Sequence, residues 1–211
     1  MLASASPRRR ELIRLLELDV RVADQQTVET SFLLDEPLAG AVNVAVAKAR
    51  SIVATLRPNE IVLAADTLVI ADGIILGKPL DEDAARGMLE RLRARSHTVA
   101  TGVALARPDG VEWAAVVTTR VAMRNYANAE VEAYIARREP FDKAGGYAVQ
   151  DDVFRPVANL DGCFLNLVGL PLCAASRGLE TLGLASNAGA GPLLPPCTLC
   201  ERGRGLVRIA G

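Results

Sequence analysis

The sequence is poor in aromatic residues, histidine, cysteine and net charge. Aromatic residues make up 4% of the 211 positions, there is one histidine, and the formal net charge is −1. A single histidine excludes a zinc site built from several histidines. Four cysteines are too few for a disulfide framework, so we expect a reducing, cytoplasmic location. The balanced charge argues against a protein that coats nucleic acid.

Long hydrophobic runs are also missing. No apolar run approaches the ~18 residues of a membrane-spanning helix, and no apolar stretch with a small-residue cleavage site follows the N-terminal arginines, as a signal peptide would require. We therefore expect neither a membrane nor nucleic acid as a partner.

The residues that are present suit one folded domain and a tail. Half of them are hydrophobic and 23% are charged, which supports a packed core of aliphatic side chains. Patterns typical of helices and strands mix over residues 1–183, so we predict an α/β fold with a mixed sheet flanked by helices. Residues 184–211 are rich in Gly and Pro and read as a tail of unknown role.

Two features have ordinary structural explanations. His97 lies in a predicted strand, where a histidine is usually hydrogen-bonded to its surroundings. Cys197 and Cys200 in the tail form half of a zinc or redox motif, whereas a complete structural zinc site needs four ligands. We interpret His97 as structural and the two cysteines as ordinary thiols.

A predicted helix start carries the first candidate for phosphate binding. Ser6 precedes Pro7, a pair typical of a helix N-terminus, and Arg8 and Arg9 lie near the inward edge of that helix. Free backbone N–H groups, the helix dipole, a hydroxyl and two guanidinium groups would converge there. A capped helix with solvated arginines explains the same residues.

A carboxylate at the end of a predicted buried strand is the second candidate. The apolar run 61–65 ends at Asp66-Thr67, where Asp66 could hold a divalent metal or take a proton from water. Glu29 could share the metal, and Lys48 and Lys78 could hold phosphate oxygens. An ordinary turn is the alternative, because spacing alone does not bring these residues together.

Seven segments together resemble the Maf family of nucleoside triphosphate pyrophosphatases, also described as septum-formation inhibitors. They occur in the family's order: LASASPRRREL (2–12), AVAKA (45–49), LAADTLV (63–69), LGKPLDEDAARGML (76–89), RSHTVATGVAL (95–105), EPFDKAGGYAVQ (139–150) and LDGCFLNLVGLP (160–171). The resemblance implies two lobes around a nucleotide cleft (a Maf/ITPase-like fold), a homodimer and a divalent cation, Mg²⁺ or Mn²⁺. It also implies hydrolysis of a nucleoside triphosphate to the monophosphate and pyrophosphate, with house-cleaning and division-arrest roles.

The resemblance also assigns roles to individual residues. Asp66 falls on the catalytic proton acceptor, and three residues fall on positions that select the substrate: Arg8, Thr67 and Gln150. Those three match the branch that acts on dTTP and UTP, and the Gln150 amide suits the O4/N3 edge of thymine or uracil. A further set falls on polar positions of the cleft: Glu29, Lys48 and Lys78.

In the mechanism that we predict from this resemblance, positive charges of the protein and a metal ion stabilise the triphosphate. Asp66, with Glu29, holds the metal or activates water for attack at the α-phosphorus, and the cations around it hold the pyrophosphate that leaves: Arg8, Arg9, Lys48 and Lys78.

Asp151 and Asp152 follow Gln150 where the family usually has Gly. We expect these two extra charges to disfavour a triphosphate unless they point away.

Two other functions agree with the same residues. One is a non-catalytic nucleotide-binding regulator of septum formation, which would bind the ligand without turnover. The other is a pyrophosphatase for modified purine nucleotides, with the same reaction and a different base. Base competition assays separate this second function from a pyrimidine enzyme.

Overall fold

The computed structural model describes residues 1–23, 36–108, 110–184 and 206–208. Over these residues the strands are β1 (Leu2–Ala3), β2 (Val22–Ala23), β3 (Val62–Ala71), β4 (Ile74–Leu76), β5 (Ser96–Arg107), β6 (Gly110–Met123), β7 (Val157–Asp161) and β8 (Leu206–Arg208). The helices are α1 (Pro7–Arg14), α2 (Pro37–Ile52), α3 (Glu82–Leu92), α4 (Asn128–Ala136), α5 (Phe164–Val168) and α6 (Leu172–Thr181).

All of these strands belong to one mixed sheet. Its order is β2-β1-β3-β5-β6-β7, with β4 paired to β3 and β8 paired to β6. β1 runs parallel to both β2 and β3, and the remaining pairs are antiparallel. Helices cover both faces, so the predicted α/β class with a mixed sheet is confirmed.

Strand β3 is longer than the sequence analysis predicted. The predicted end at Asp66-Thr67 is wrong, because β5 pairs with β3 without interruption from Val62 to Ile70. On the other edge of β3, β1 pairs only as far as Ala64 and β4 pairs from Val69 onward. Residues 65–68 therefore form a gap in the edge of the sheet, between the described strands β1 and β4.

Helix α2 covers one face of the sheet. Its buried stripe of Ala41, Ala45 and Ala49 recurs every four residues, which keeps one helix face small and apolar. The helix approaches so closely that a Cβ at Gly102 of β5 would overlap the Ala41 carbonyl. Glycine at 102 therefore sets the distance between α2 and the centre of the sheet.

The opposite face carries two apolar clusters. One joins α1 and α6 to Ala65, Val103 and Val117, and the other joins α3 and α4 to Val69 and Val99. Because side chains alternate along a strand, the residues between these positions share their face, and they are polar: Thr67, Thr101 and Thr119. The two clusters lie on this face with a polar belt between them.

Residues 163–168 differ from what their sequence predicts. This short apolar run is typical of a strand, but the chain forms helix α5, which ends at Gly169 with a left-handed φ of 114°. The Gly169 N–H donates to the carbonyls of Leu165 and Asn166, the usual closure of a helix by glycine. A short apolar run does not distinguish a strand from a buried helix, which explains the error.

Two expectations from the sequence concern the tail and membrane-spanning helices. The predicted tail lies outside the described residues, apart from Leu184 and β8. Among the described residues one helical stretch, Pro37–Thr55, is long and apolar enough to cross a membrane by length and composition alone. Its buried stripe packs against the sheet, as the stripe of a core helix does.

Candidate active site

An ion pair lies beside the gap in the sheet edge. The Lys48 ammonium on α2 donates to Oδ1 of Asp66 on β3 at 2.6 Å. Both side chains keep about one sixth of their surface exposed, at 16% and 17%. Gly102 pairs with Asp66 across the two strands, so the close approach of α2 at Gly102 places Lys48 over the carboxylate.

The N-terminus of α1 faces the same gap from the other side. Ser6 caps the helix, and its hydroxyl accepts the N–H of Arg9 at 3.5 Å. The Arg9 guanidinium donates from Nε to the Gly169 carbonyl at 2.7 Å and from Nη2 to the Thr67 hydroxyl at 3.0 Å. The predicted helix start and cap are confirmed.

Burial and the charge of Asp66 have opposite effects on the pKa of Arg9. Burial lowers the pKa of its guanidinium, while the Asp66 carboxylate raises it. An arginine stays charged in both cases, so its positive charge and the Asp66 carboxylate attract each other. Asp66 therefore lies in the field of two cations, Lys48 and Arg9.

Arg8 connects α1 to the segment between α4 and β7. Its Nη1 donates to Oδ2 of Asp142 at 3.1 Å, and Lys143 donates to the other oxygen at 2.6 Å. These two cations help to hold the pKa of the Asp142 carboxyl below its usual range, against the opposing effect of partial burial. The contact joins α1 to the segment that leads to Gln150.

Two predicted site residues within the described part of the chain have no such contacts. Lys78 and Gln150 are exposed, and no hydrogen bond to a described residue fixes either side chain. Lys78 follows β4, and the neighbouring Gly77 carbonyl accepts the N–H of Gly145, so the two segments that carry Lys78 and Gln150 touch. Glu29 lies outside the described residues.

Asp151 is held by contacts with its neighbours. Both of its carboxylate oxygens accept from the Arg137 guanidinium at 2.9 Å, and Oδ1 also accepts the N–H of Phe154 at 2.6 Å. These contacts bury the carboxylate to 7% exposure and lower its pKa against the effect of burial. Asp151 thus closes a local turn, and its charge is paired with Arg137. Asp152 is exposed.

His97 has the structural environment that we predicted. Its Nε2 lies 2.7 Å from the Tyr147 hydroxyl, and the ring is 4% exposed. Burial lowers the pKa of the imidazole to about 4. His97 is therefore neutral at pH 7 and ties the Gly145–Gln150 segment to β5.

Two buried polar residues, one in the belt and one bonded to it from α5, were missed from the sequence. Thr101 and Asn166 are fully buried, and Thr101 lies 2.9 Å from the Thr67 hydroxyl. The signal was a polar residue inside an apolar run: Thr101 interrupts VATGVAL, and Asn166 interrupts FLNLV. Buried polar side chains usually have a specific hydrogen-bonding role.

The residues of this site fit a metal ion only when phosphate oxygens complete its shell. The described residues contain no group of three His, Cys, Asp or Glu side chains that could hold a metal. Mg²⁺ commonly takes one or two carboxylates together with substrate phosphates and water. Asp66 at the open gap is a donor of that kind, since only its Oδ1 is engaged by a described residue.

The arrangement suits a polyphosphate and a water molecule. Cations and backbone N–H groups at a helix N-terminus stabilise phosphate oxygens, and both occur here around a partly exposed carboxylate. A carboxylate within reach of water can act as a general base. The site therefore combines binding of negative charge with one group that can accept a proton.

Comparison with known proteins gives consistent matches. The family model for Maf-like proteins matches residues 1–182. A protein of Thermomicrobium roseum named dTTP/UTP pyrophosphatase is 44% identical over 208 residues, which cover 95% of this chain and 92% of the relative. Proteins of the same name from Moorella thermoacetica and Anaeromyxobacter dehalogenans (strain 2CP-C) are 42% and 44% identical. They cover 87% and 90% of this chain, and 95% and 93% of the relatives.

The match to the Thermomicrobium roseum protein extends past the family domain. It covers 95% of this chain, so it includes residues beyond 184, whereas the family model ends at 182. Part of the Gly/Pro-rich segment therefore has a counterpart in that relative.

Proposed function

This chain belongs to the family of Maf-like proteins, and from that membership we propose that it hydrolyses dTTP and UTP to the monophosphate and pyrophosphate. The relatives named dTTP/UTP pyrophosphatase are 38–44% identical to it over most of its length. The cut bond is the anhydride between the α- and β-phosphates, which leaves pyrophosphate as one product.

The observation that carries this proposal is the ion pair of Asp66 with Lys48 beside the gap. Lys48 contacts its Oδ1 at 2.6 Å, and Arg9 interacts with it through charge. We propose that Asp66 accepts or orients the proton of the water that attacks the α-phosphorus. Lys48 neutralises the carboxylate, so that a triphosphate can approach it with less repulsion.

We propose that the α1 N-terminus and the nearby cations bind the phosphates. Ser6, Arg9, Lys48 and Lys78 would share the charge of the leaving pyrophosphate. Preorganised donors stabilise such developing charge most strongly where they need no rearrangement. Arg9 meets that condition, because two protein contacts already fix its guanidinium.

We propose that Arg8, Thr67 and Gln150 select the base. Thr67 lies in the polar belt, and Gly145 packs over Val69, which shares the face of Thr67. The segment that leads to Gln150 thus covers the same side of the sheet. Its amide would donate to O4 of thymine or uracil.

A divalent cation fits this reaction as a partner that arrives with the triphosphate. Asp66 and Glu29 would hold it, and when bound it would neutralise phosphate charge. We propose Mg²⁺ or Mn²⁺, since hard oxygen ligands suit both.

The proposal is tested by pyrophosphate release from dTTP, UTP, CTP, 7-methyl-GTP and ITP with Mg²⁺ or Mn²⁺. We expect turnover of dTTP and UTP. Preferred turnover of 7-methyl-GTP or ITP would keep the reaction and overturn the assignment of Arg8, Thr67 and Gln150. Nucleotide binding without any turnover would favour a non-catalytic regulator.

We also propose a cytoplasmic homodimer, as the family resemblance implies. Sedimentation equilibrium of the full chain at micromolar concentration tests the assembly. A single species of one chain mass, with and without dTTP, would overturn it.

A further inference from the structure

Thr67 belongs to a chain of hydroxyl groups that runs from the cleft into the core. Its Oγ1 accepts from Arg9 at 3.0 Å and lies 2.9 Å from the Thr101 hydroxyl. The Thr101 hydroxyl in turn donates to the Asn166 carbonyl at 3.3 Å. Thr67 is partly exposed, whereas Thr101 and Asn166 are fully buried.

The far end of this chain is fixed. The Asn166 amide donates to the Val99 carbonyl and to the Thr119 hydroxyl, both at 3.0 Å. Thr119 also accepts the N–H of Cys163 at 3.1 Å and donates to its carbonyl at 3.2 Å. Helix α5 is thereby tied to β5 and β6, and the Asn166 carbonyl is a stationary acceptor.

The direction of the hydrogen bonds follows from counting hydrogens. A threonine hydroxyl has one hydrogen to donate, and a carbonyl can only accept. With the Thr101 hydrogen donated to the Asn166 backbone carbonyl, Thr67 donates in the contact of 2.9 Å rather than to its other protein acceptor, the more distant Gly169 carbonyl at 3.5 Å. Thr67 then has no hydrogen left for a ligand, and it offers the cleft a lone pair.

Reversing this direction has a definite cost. Thr67 could donate into the cleft only if Thr101 turned its hydrogen toward Thr67 and gave up the bond to Asn166. One neutral hydrogen bond contributes about 1 kcal/mol net, which is roughly a fivefold change in an equilibrium. The chain therefore biases Thr67 toward accepting by about five- to tenfold.

We propose that Thr101 is a positioning residue for base selection. By taking the hydrogen of Thr67, it makes Thr67 an acceptor suited to the N3–H of uracil or thymine. Cytosine carries an unprotonated N3, which would place an acceptor against an acceptor. This inference rests on the proposed function and adds a buried residue to it: Gln150 faces O4 of the base, and Thr67, set by Thr101, faces N3.

The test is the ratio of kcat/KM for UTP to kcat/KM for CTP. Thr101→Val keeps the side-chain shape and removes the hydroxyl, so Thr67 regains a hydrogen that it can donate. We expect the ratio to fall about five- to tenfold, chiefly through improved KM for CTP. Thr101→Ser should restore the wild-type ratio. Thr118→Val removes a hydroxyl from the opposite face of β6 and should leave the ratio unchanged.

A double-mutant cycle separates positioning from a general structural effect. In a Thr67→Val background, Thr101→Val should not change the ratio further, because the group through which it acts is gone. An unchanged ratio in Thr101→Val, or the same drop with and without Thr67, overturns the proposal. If Thr101→Val does not fold, Thr101→Cys must lower the ratio, since a thiol forms only weak hydrogen bonds.

Failure of the proposed function has a different signature. In that case the wild-type protein releases no pyrophosphate from UTP or dTTP, whatever the variants do. Wild-type turnover of UTP with an unaltered ratio in Thr101→Val keeps the proposed function and removes only the role of Thr101.

Discussion

Lys48 and Asp66 meet across the face of the sheet that α2 covers, with 2.6 Å between Nζ and Oδ1. The contact depends on Gly102, which pairs with Asp66 and lets the α2 backbone approach. A small-residue contact in the core thus determines where a cation lies in the candidate active site.

Replacing the cation of this pair should impair catalysis. Lys48→Met keeps the aliphatic stem and removes the charge, so Asp66 would face the triphosphate uncompensated. A hydrogen bond to a charged group contributes about 1.5–3 kcal/mol, so we expect kcat/KM for dTTP to fall roughly 10- to 100-fold. Lys48→Arg, which keeps the charge, should lose less. Equal activity of Lys48→Met and wild type would show that the pair has no part in turnover.

The role of Gly102 can be tested with a single methyl group. Gly102→Ala would push α2 away from the sheet, and overpacking of this kind costs about 1–3 kcal/mol. We expect a lower free energy of unfolding together with reduced turnover, because Lys48 moves with the helix. Gly87→Ala in α3 is the control: nothing lies within 4 Å of its added Cβ, so it should be neutral or stabilising. A Gly102→Ala protein with normal stability would refute the packing argument.

Arg9 should not be replaceable by lysine. Its planar fork reaches Gly169 and Thr67 together, a geometry that a single ammonium does not reproduce. Arg9→Lys should raise KM for dTTP about tenfold and lower the free energy of unfolding by about 1–2 kcal/mol. Arg14→Lys, at an exposed position of the same helix, should change neither quantity. Matching KM values for the two variants would contradict this role.

The burial of His97 predicts that the free energy of unfolding falls as the pH is lowered. Burial lowers its pKa from 6.5 to about 4, so the unfolded chain takes up the proton first as the pH falls. The stabilisation is present above pH 6.5 and is lost between 6.5 and 4, by about 2 kcal/mol at pH 5 and about 3 at pH 4. Urea unfolding of wild type and His97→Gln from pH 7.5 to 4 measures this loss. Parallel curves for the two proteins would exclude His97 as its source.

Local chemistry made much of the fold predictable. Ser6-Pro7 begins α1, and Asp72-Gly73, with φ values of 52° and 75°, turns β3 into β4. Asp81 caps α3 through a bond of 2.7 Å to the N–H of Ala84. Each of these signals acts within a few residues, so the sequence carries it directly.

The errors arose where distant residues decide the structure. β3 extends past Asp66-Thr67 because β5 pairs with it, and residues 163–168 form a helix because Asn166 is anchored to β5 and β6. The Arg8–Asp142 contact joins residues 134 positions apart, which spacing alone does not reveal. Residue types thus predicted the charges of the site, and tertiary pairing determined which of them meet.

Hydrolysis of dTTP in ¹⁸O-labelled water, by wild type and by Asp66→Asn, tests the central claim most directly. We expect the label in the monophosphate, because water attacks the α-phosphorus, and a loss of about 10²–10⁴-fold in rate without the carboxylate. Asp83→Asn, whose side chain is 95% exposed on α3, should match wild type. Label in the pyrophosphate, or turnover by Asp66→Asn at the wild-type rate, would contradict the account.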